Sequence, residues 1–242
     1  MREPSFSRIA AGITGLAMNW CLTDPTQVLA NQRVVLDNYA LDMTEVSIRE
    51  FREFAKSETL TTTAETAGGG FEWGQGWERR PGWSVYQPFG KAPVHLDEPA
   101  VHVTWDEANR FCRWRGGRLP TASEWRRAAY TELRSQPDAE FVTQKTYRFP
   151  VGDTPNGMNT NGSDPWPLHA RAALTKKGVN GLYEMGGNVW EWLADRRNGD
   201  ALTAGGSWWY DAEQTTAEAM QWKPAAFYAV YVGFRCAYDL RR

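Results

Sequence analysis

The sequence predicts one α+β domain, spanning residues 1–242, with little regular secondary structure. A serine or threonine followed three positions later by glutamate, the signature of a capped helix start, recurs at Ser47, Thr104 and Thr121. Runs of alternating apolar and polar residues, typical of strands, lie near both ends of the chain. Stretches rich in glycine, proline and aromatic residues separate these elements, with 22 Gly, 13 Pro and 13 Trp in all. No internal repeat or linker divides the chain, so we expect one large core.

Charge and hydropathy exclude several classes of function. The net charge is −2, so the chain lacks the basic field that nucleic-acid binding requires. The apolar run Ile9 to Leu22 is shorter than the roughly 20 residues of a membrane span, and no span is expected. This run indicates either a signal peptide or a first strand. A signal peptide would place the protein in the periplasm or elsewhere outside the cytoplasm, whereas a native, unexported N-terminus would leave it in the cytoplasm.

The first half of the chain predicts a strand, a helix and a long loop. Arg33 to Asp42 alternates well enough for a strand. The capping box at Ser47 opens a helix over Ile48–Ser57, with two phenylalanines on its apolar face. Residues 58 to 100 combine glycine and proline with scattered tryptophans, and we expect an ordered loop held by aromatic side chains.

The second half predicts two capped helices, an irregular segment and two strands. The helices begin after Thr104 and Thr121. The chain from Thr143 to Asn180 is rich in residues that form turns. Gly205 to Asp211 and Tyr228 to Phe234 are predicted as strands on either side of an aromatic loop.

A glycine turn between two acidic residues is the most distinctive stretch of the chain. Glu184 and Glu191 flank Gly186-Gly187, and glycine adopts backbone conformations that can turn carbonyls toward one point. Carboxylate and carbonyl oxygens are the ligands of a hard cation such as calcium, which takes about six to eight of them. Two carboxylates are few, and the alternative is a tight turn before a buried strand at Val189–Trp192. The residues alone leave both interpretations open.

Four aromatic residues close together form the second distinctive feature. Trp208, Trp209, Tyr210 and Trp222 lie within fifteen residues of one another, with Lys223 beside the last of them. Core packing is the ordinary role of a single tryptophan, but this density favours a surface that stacks on flat or cationic ligands. The three histidines of the chain are scattered, which argues against a histidine-based metal site.

Four ordered motifs resemble those of the formylglycine-generating-enzyme (sulfatase-modifying factor) superfamily. They are PAVHVTWDEANRFCRWRGGRLPTASEW, GLYEMGGNVWEWLAD, GGSWW and VGFRC, and the similarity extends from about Arg8 to Asp239. The resemblance implies a C-type-lectin-like fold with few helices and short sheets. It also implies that Arg8 to Trp20 is the first strand of that fold rather than a signal peptide.

The resemblance implies a structural calcium ion at the glycine turn. The family's site maps onto the side chains of Glu184 and Glu191 and the carbonyls of Gly187 and Val189. Where this chain has Glu184 the family commonly has asparagine, which changes the charge of the ligand but keeps an oxygen donor. A second calcium site of the family would begin near Asn159, but its other half falls in a shortened segment and stays open.

The resemblance also implies one disulfide and the loss of one activity. Cys112 and Cys236 match positions that form a disulfide in some members of the family. Formylglycine-generating enzymes place two copper-binding cysteines just after the GGS motif, and here those positions are Tyr210 and Thr215. Without thiolates the soft-metal site is lost, so we expect no copper and no formylglycine formation.

Two functions from different classes follow from the resemblance. The stretches GGGFEWGQGW, DEPAVH and GGSWWY are similar to the branch of the family that acts in pyoverdine maturation and lacks the catalytic cysteines. That branch implies a small-molecule or peptide ligand and a role in the oxidative tailoring of a siderophore or similar peptide natural product. The alternative is a ligand-binding module like the variable proteins of diversity-generating retroelements, which share the fold.

The sequence assigns no catalytic residue, because none is an evident acid, base or redox centre. Tyr210, Asp211 and Glu213 are candidates by position only. The predicted ligand pocket consists of aromatic walls with polar anchors: Trp208, Trp209, Tyr210 and Trp222, with Arg235 and Glu213.

Overall fold

A computed structural model describes residues 32–162 and 164–240, and the run Ile9 to Leu22 lies outside them. The helices are α1 Ile48–Ser57, α2 Thr63–Thr66, α3 Trp105–Trp114 and α4 Ala122–Tyr130, and two 3-10 turns span Val179–Gly181 and Ala212–Thr215. The strands are β1 Arg33–Val35, β2 Tyr39–Asp42, β3 Gly69–Trp73, β4 Trp77–Pro81, β5 Trp190–Arg197, β6 Asp200–Ala204, β7 Gln221–Pro224, β8 Val232–Gly233 and β9 Ala237–Asp239.

The three predicted capping boxes are confirmed. At the start of α1 the Glu50 carboxylate accepts the backbone N–H of Ser47 at 2.8 Å, while the Ser47 hydroxyl accepts the N–H of Glu50. Each bond satisfies a backbone donor that the first turn of a helix would otherwise leave unpaired. The same reciprocal pairs open α3 and α4.

The segment from 58 to 100 has more regular structure than predicted. A fourth capping box, Thr62 with Glu65, opens the one-turn helix α2, and the sequence analysis overlooked it. Strands β3 and β4 then form a hairpin, in which Trp73 and Trp77 face each other with ring centroids 5.2 Å apart. The prediction of an irregular loop was therefore wrong here, because a short turn at Gly74–Gly76 pairs the aromatic runs on either side.

Two predicted strands are differently divided in the structure. Arg33 to Asp42 is a hairpin, β1 and β2, because Leu36 donates its N–H to the carbonyl of Tyr39 at 2.9 Å and closes a turn. Strand β9 extends this hairpin to a three-stranded sheet. Gly205 to Asp211 is not a strand, since Gly205 and Gly206 have positive φ angles of 95° and 71° and turn the chain after β6.

A four-stranded sheet in the order β7-β6-β5-β8 crosses the core. The predicted buried strand after the glycine turn is β5, whose residues Trp190 to Leu193 are buried. Within the predicted strand Tyr228 to Phe234, only Val232–Gly233 pairs with β5, and it does so in parallel. One hydrophobic cluster, around Phe51 and Phe111, contains Trp190, whereas Leu193 belongs to a second cluster.

The predicted disulfide is confirmed. Cys112 on α3 is bonded to Cys236, which directly precedes β9, with a Cα–Cα distance of 5.4 Å. The bond ties α3 to the three-stranded sheet across 124 positions of sequence.

Across residues 32–162 and 164–240, every helix is too short or too polar to cross a bilayer.

Candidate functional site

A buried arginine and glutamate form the centre of the glycine-turn region. Both Glu191 oxygens accept hydrogen bonds from Arg235, at 2.9 Å each from Nε, and Oε1 accepts a further one at 2.7 Å from Nη2. The indole N–H of Trp125 donates to Oε2 of Glu191 at 2.8 Å. Neither Arg235 nor Glu191 is exposed to solvent. These four contacts use the roughly four lone-pair sites of a carboxylate.

The remaining donors of Arg235 bind backbone carbonyls. Its guanidinium donates to Asp42 and Met43 at 3.2 Å each and to Tyr183 at 2.8 Å. The guanidinium thereby links β2, the glycine turn and β5. Arg235, the predicted ligand anchor, is fully buried in the structure, and these N–H groups bind acceptors of the core.

Two further buried carboxylates surround this ion pair. Glu45, which the sequence analysis did not identify, accepts from the Asn188 side chain at 2.6 Å and from the Val189 N–H at 3.2 Å. Burial, with Glu184 and Glu191 nearby, raises the pKa of Glu45 well above its usual range. Burial also raises the pKa of Glu184 to about 7, although this carboxylate accepts the Thr175 hydroxyl at 2.8 Å. Glu45 lies 143 positions before Asn188 in the sequence, so no local motif indicates that it contacts this turn.

The geometry fits the predicted calcium ligands only in part. Glu184 and Glu191 both lie close enough to Arg235 to interact with its charge. Glu184 accepts hydrogen bonds from Ala173 and Thr175, which leave one of its lone pairs without a donor. Glu191 has none left, so it does not fit as a calcium ligand while it is paired with Arg235. Calcium binding at this turn, with the carbonyls of Gly187 and Val189, remains a prediction.

The second feature is an aromatic cavity on the outer side of the four-stranded sheet. Its volume is about 330 Å³. The hairpin β3–β4 forms one side, where Trp77 packs against Phe227 at a centroid distance of 4.7 Å. Trp190 and Tyr210, 5.7 Å apart, form the opposite side. The cavity is lined by Trp77, Trp190, Tyr210, Gln221, Trp222, Lys223, Pro224, Phe227, Tyr231 and Val232.

The structure brings two of the four predicted aromatic walls to this cavity, Tyr210 and Trp222. The Trp222 ring packs on the second core cluster, with the Arg197 guanidinium 4.1 Å from its centroid. Trp208 and Trp209 do not line the cavity, because they pack against Tyr231 at 5.5 and 5.9 Å and border a separate depression with Asp164. The four aromatic residues are thus divided between this cavity and the depression, and their role in ligand binding remains a prediction.

Of the three positional candidates, only Tyr210 reaches the cavity. Asp211 and Glu213 are exposed, and Glu213 pairs with Arg148 at 2.7 Å on the surface. Burial raises the pKa of Tyr210, which keeps its hydroxyl protonated at neutral pH. Thr215, which the motif resemblance alone matched to a copper-binding position, is buried and donates its hydroxyl to the carbonyl of Ala212 at 2.7 Å.

Lys223 also lines this cavity, and the sequence analysis gave it no role. Its ammonium lies 4.2 Å from the ring centroid of Trp190 and donates to the Gln221 side chain at 2.9 Å. Burial among the aromatic walls lowers its pKa to about 7. The sequence shows a lysine between Trp222 and Pro224 in a predicted aromatic loop. Whether its side chain faces the cavity depends on how β7 pairs with β6.

The fold belongs to the class of formylglycine-generating-enzyme and C-type-lectin-like domains. The structure of PvdO from Pseudomonas aeruginosa is similar, with a TM-score of 0.63 and 16% identity over 84% of this chain and 80% of that one. CarF has a TM-score of 0.57 and 19% identity over 85% of this chain and 88% of its own. At these identities the likeness establishes the fold alone.

The chain belongs to the sulfatase-modifying factor family, since residues 2–240 match the Sulfatase-modifying factor enzyme 1-like domain. The inactive C-alpha-formylglycine-generating enzyme 2 of Mus musculus is 31% identical over 193 residues, which are 67% of this chain and 60% of that protein. The formylglycine-generating enzyme of Thermomonospora curvata is 30% identical over 192 residues, covering 67% of this chain and 61% of the enzyme. The chain thus matches about three fifths of these relatives' length.

Proposed function

We propose that this protein binds a flat aromatic ligand in the cavity between Trp77, Trp190 and Tyr210. In this proposal the ligand belongs to a siderophore precursor of the pyoverdine type, or to a similar peptide natural product, and the protein acts in its oxidative tailoring. It does so without forming formylglycine, since tyrosine and threonine stand at the family's copper positions.

The observation that carries the proposal is the position of Tyr210. The motif resemblance matches this residue to a copper-binding cysteine of the family's enzymes, and in the structure it lines the aromatic cavity. The reacting centre of the family is thereby replaced by a flat surface suited to stacking. A cavity of about 330 Å³ lies within the range of small-molecule sites, about 300 to 1,000 Å³.

Two further findings support the proposal. Family membership extends over residues 2–240, which favours a role within this family over the binding-module alternative. The bond between Cys112 and Cys236 suits an oxidising compartment such as the periplasm, because disulfides are rare in the reducing cytosol.

Isothermal titration calorimetry tests the proposal with three ligands: a siderophore precursor carrying a dihydroquinoline chromophore, phenol and an unrelated peptide. The matched variants are Trp77→Ala and Trp209→Ala, because both indoles are similarly exposed, at 45% and 42%, but only Trp77 lines the cavity. Loss of one stacking wall, about 0.5 to 1.5 kcal/mol, should weaken precursor binding about threefold to tenfold in Trp77→Ala alone. Binding of the peptide alone would favour the binding module, and no heat with any ligand would refute the proposal.

A further inference from the structure

The cavity has a polar end as well as aromatic walls. Resting on the ligand-binding role proposed above, we propose that Lys223 selects planar ligands that carry an anionic oxygen, a carboxylate or an acidic phenolate, on their ring. The proposal thus assigns a specificity-determining residue and a ligand charge to the cavity.

The contacts of Lys223 leave donors free for such a ligand. An ammonium carries three N–H donors, and among the described residues the Gln221 amide oxygen, at 2.9 Å, is the acceptor that receives one. The ring of Trp190, 4.2 Å from Nζ, stabilises the cation but takes no conventional hydrogen bond. Within residues 32–162 and 164–240, no carboxylate lies within ion-pair distance of Lys223. Its charge is therefore poorly compensated, unlike that of Arg235.

Trp190, which also lines the cavity, carries an unpaired donor. The indole N–H of Trp190 is buried and has no hydrogen-bond partner among the described residues. An unpaired buried donor costs about 1 to 3 kcal/mol, and such groups call for an explanation.

Among the other titratable groups around the cavity, two tyrosines are uncharged at neutral pH. Burial raises the pKa values of Tyr210 and Tyr231, so both hydroxyls stay protonated. On β3, Glu72 is paired with Arg80. The charged residues of the neighbouring strands are Arg197 on β5, which covers Trp222, and Asp200 on β6, which lies opposite Pro224.

Protonation of Lys223 then makes binding depend on pH in a defined direction. With a pKa of about 7 in the free protein, the ammonium is lost above neutral pH, while an aromatic carboxylate stays ionised. If the charged form alone binds, the dissociation constant rises about 25-fold from about pH 6.5 to about pH 8.5. A neutral ligand of the same shape has no such dependence.

The test compares 2-naphthoate with 2-naphthamide by calorimetry on the full chain across this pH range. The variants are Lys223→Met, which keeps length but removes charge, Lys223→Arg, which keeps charge, and Lys91→Met, an exposed control. We expect wild type to prefer the carboxylate at the lower pH. Lys223→Met should lose about tenfold to a hundredfold in naphthoate affinity, together with the pH dependence, and Lys223→Arg should retain the preference.

Two results would overturn the inference, and only the second would also refute ligand binding by the cavity. Equal, pH-independent binding of both ligands, unaffected in Lys223→Met, would reject Lys223 as the anchor but keep an aromatic-binding cavity. Absence of binding by both ligands to wild-type protein would remove the cavity's proposed role and this inference with it.

Discussion

Removing the buried guanidinium should destabilise the protein more than any other single change at the glycine turn. In Arg235→Met the carboxylate of Glu191 loses all its partners but the Trp125 indole. Three backbone carbonyls, those of Asp42, Met43 and Tyr183, lose a donor as well. The substitution therefore leaves a buried charge and several buried acceptors without compensation.

The magnitude follows from the burial of both partners. Breaking a fully buried ion pair by removing one member costs about 3 to 5 kcal/mol, because the remaining charge is desolvated and unpaired. Neighbouring Glu45 and Glu184 also lose their favourable interaction with the guanidinium. For a chain of this length, about 2 to 4 °C per kcal/mol gives a melting temperature lower by about 6 to 20 °C.

Thermal and urea unfolding of wild type and Arg235→Met, followed by circular dichroism, measure this difference. The matched control is Arg148→Met, which removes an arginine from the exposed pair with Glu213, where both side chains are more than half exposed. Such surface pairs contribute about 0 to 1 kcal/mol. An Arg235→Met protein within 1 kcal/mol of wild type, or no less stable than the control variant, would refute the assigned role of the ion pair.

Three further predictions concern the disulfide, the lysine of the cavity and the cation. Joint Cys112→Ala and Cys236→Ala substitution should lower the free energy of unfolding by about 2 to 5 kcal/mol, and two free thiols in protein from an oxidising compartment would contradict the bond. Because the folded pKa of Lys223, about 7, lies below its unfolded value, the unfolded state holds more protons above pH 7. The free energy of unfolding of wild type should therefore rise relative to Lys223→Met between pH 7 and about pH 10, and parallel curves would speak against a desolvated amine. Calcium added to chelator-treated protein should raise the melting temperature, less so in Glu184→Gln; no rise would mean that Arg235 is the only cation this cluster takes.

The sequence predicts local structure well where a short pattern carries the physical cause. The capping boxes at Ser47, Thr104 and Thr121 each contain both partners of the hydrogen bonds that start a helix. Each helix start can therefore be predicted from a stretch of four residues. The similarity of the motifs implied the Cys112–Cys236 bond and the lectin-like fold, which spacing alone did not.

The remainder depends on contacts that local pattern does not encode. Arg235 lies 44 positions from Glu191, and only the parallel pairing of β8 with β5 brings the two together. The position of Trp208 beside a separate depression depends on the positive φ angles at Gly205 and Gly206, which turn the chain after β6. The direction of Lys223 depends on its register opposite Ala201.

The central claim is that the aromatic cavity is the ligand site, and the position of a bound ligand tests it most directly. The measurement is a crystal structure of the 2-naphthoate complex, grown at a ligand concentration near the dissociation constant. We predict density for the ring between Trp190 and Phe227, with a carboxylate oxygen about 3 Å from Nζ of Lys223. Density for the ring in the depression beside Trp208 and Trp209, with the cavity empty, would contradict the claim.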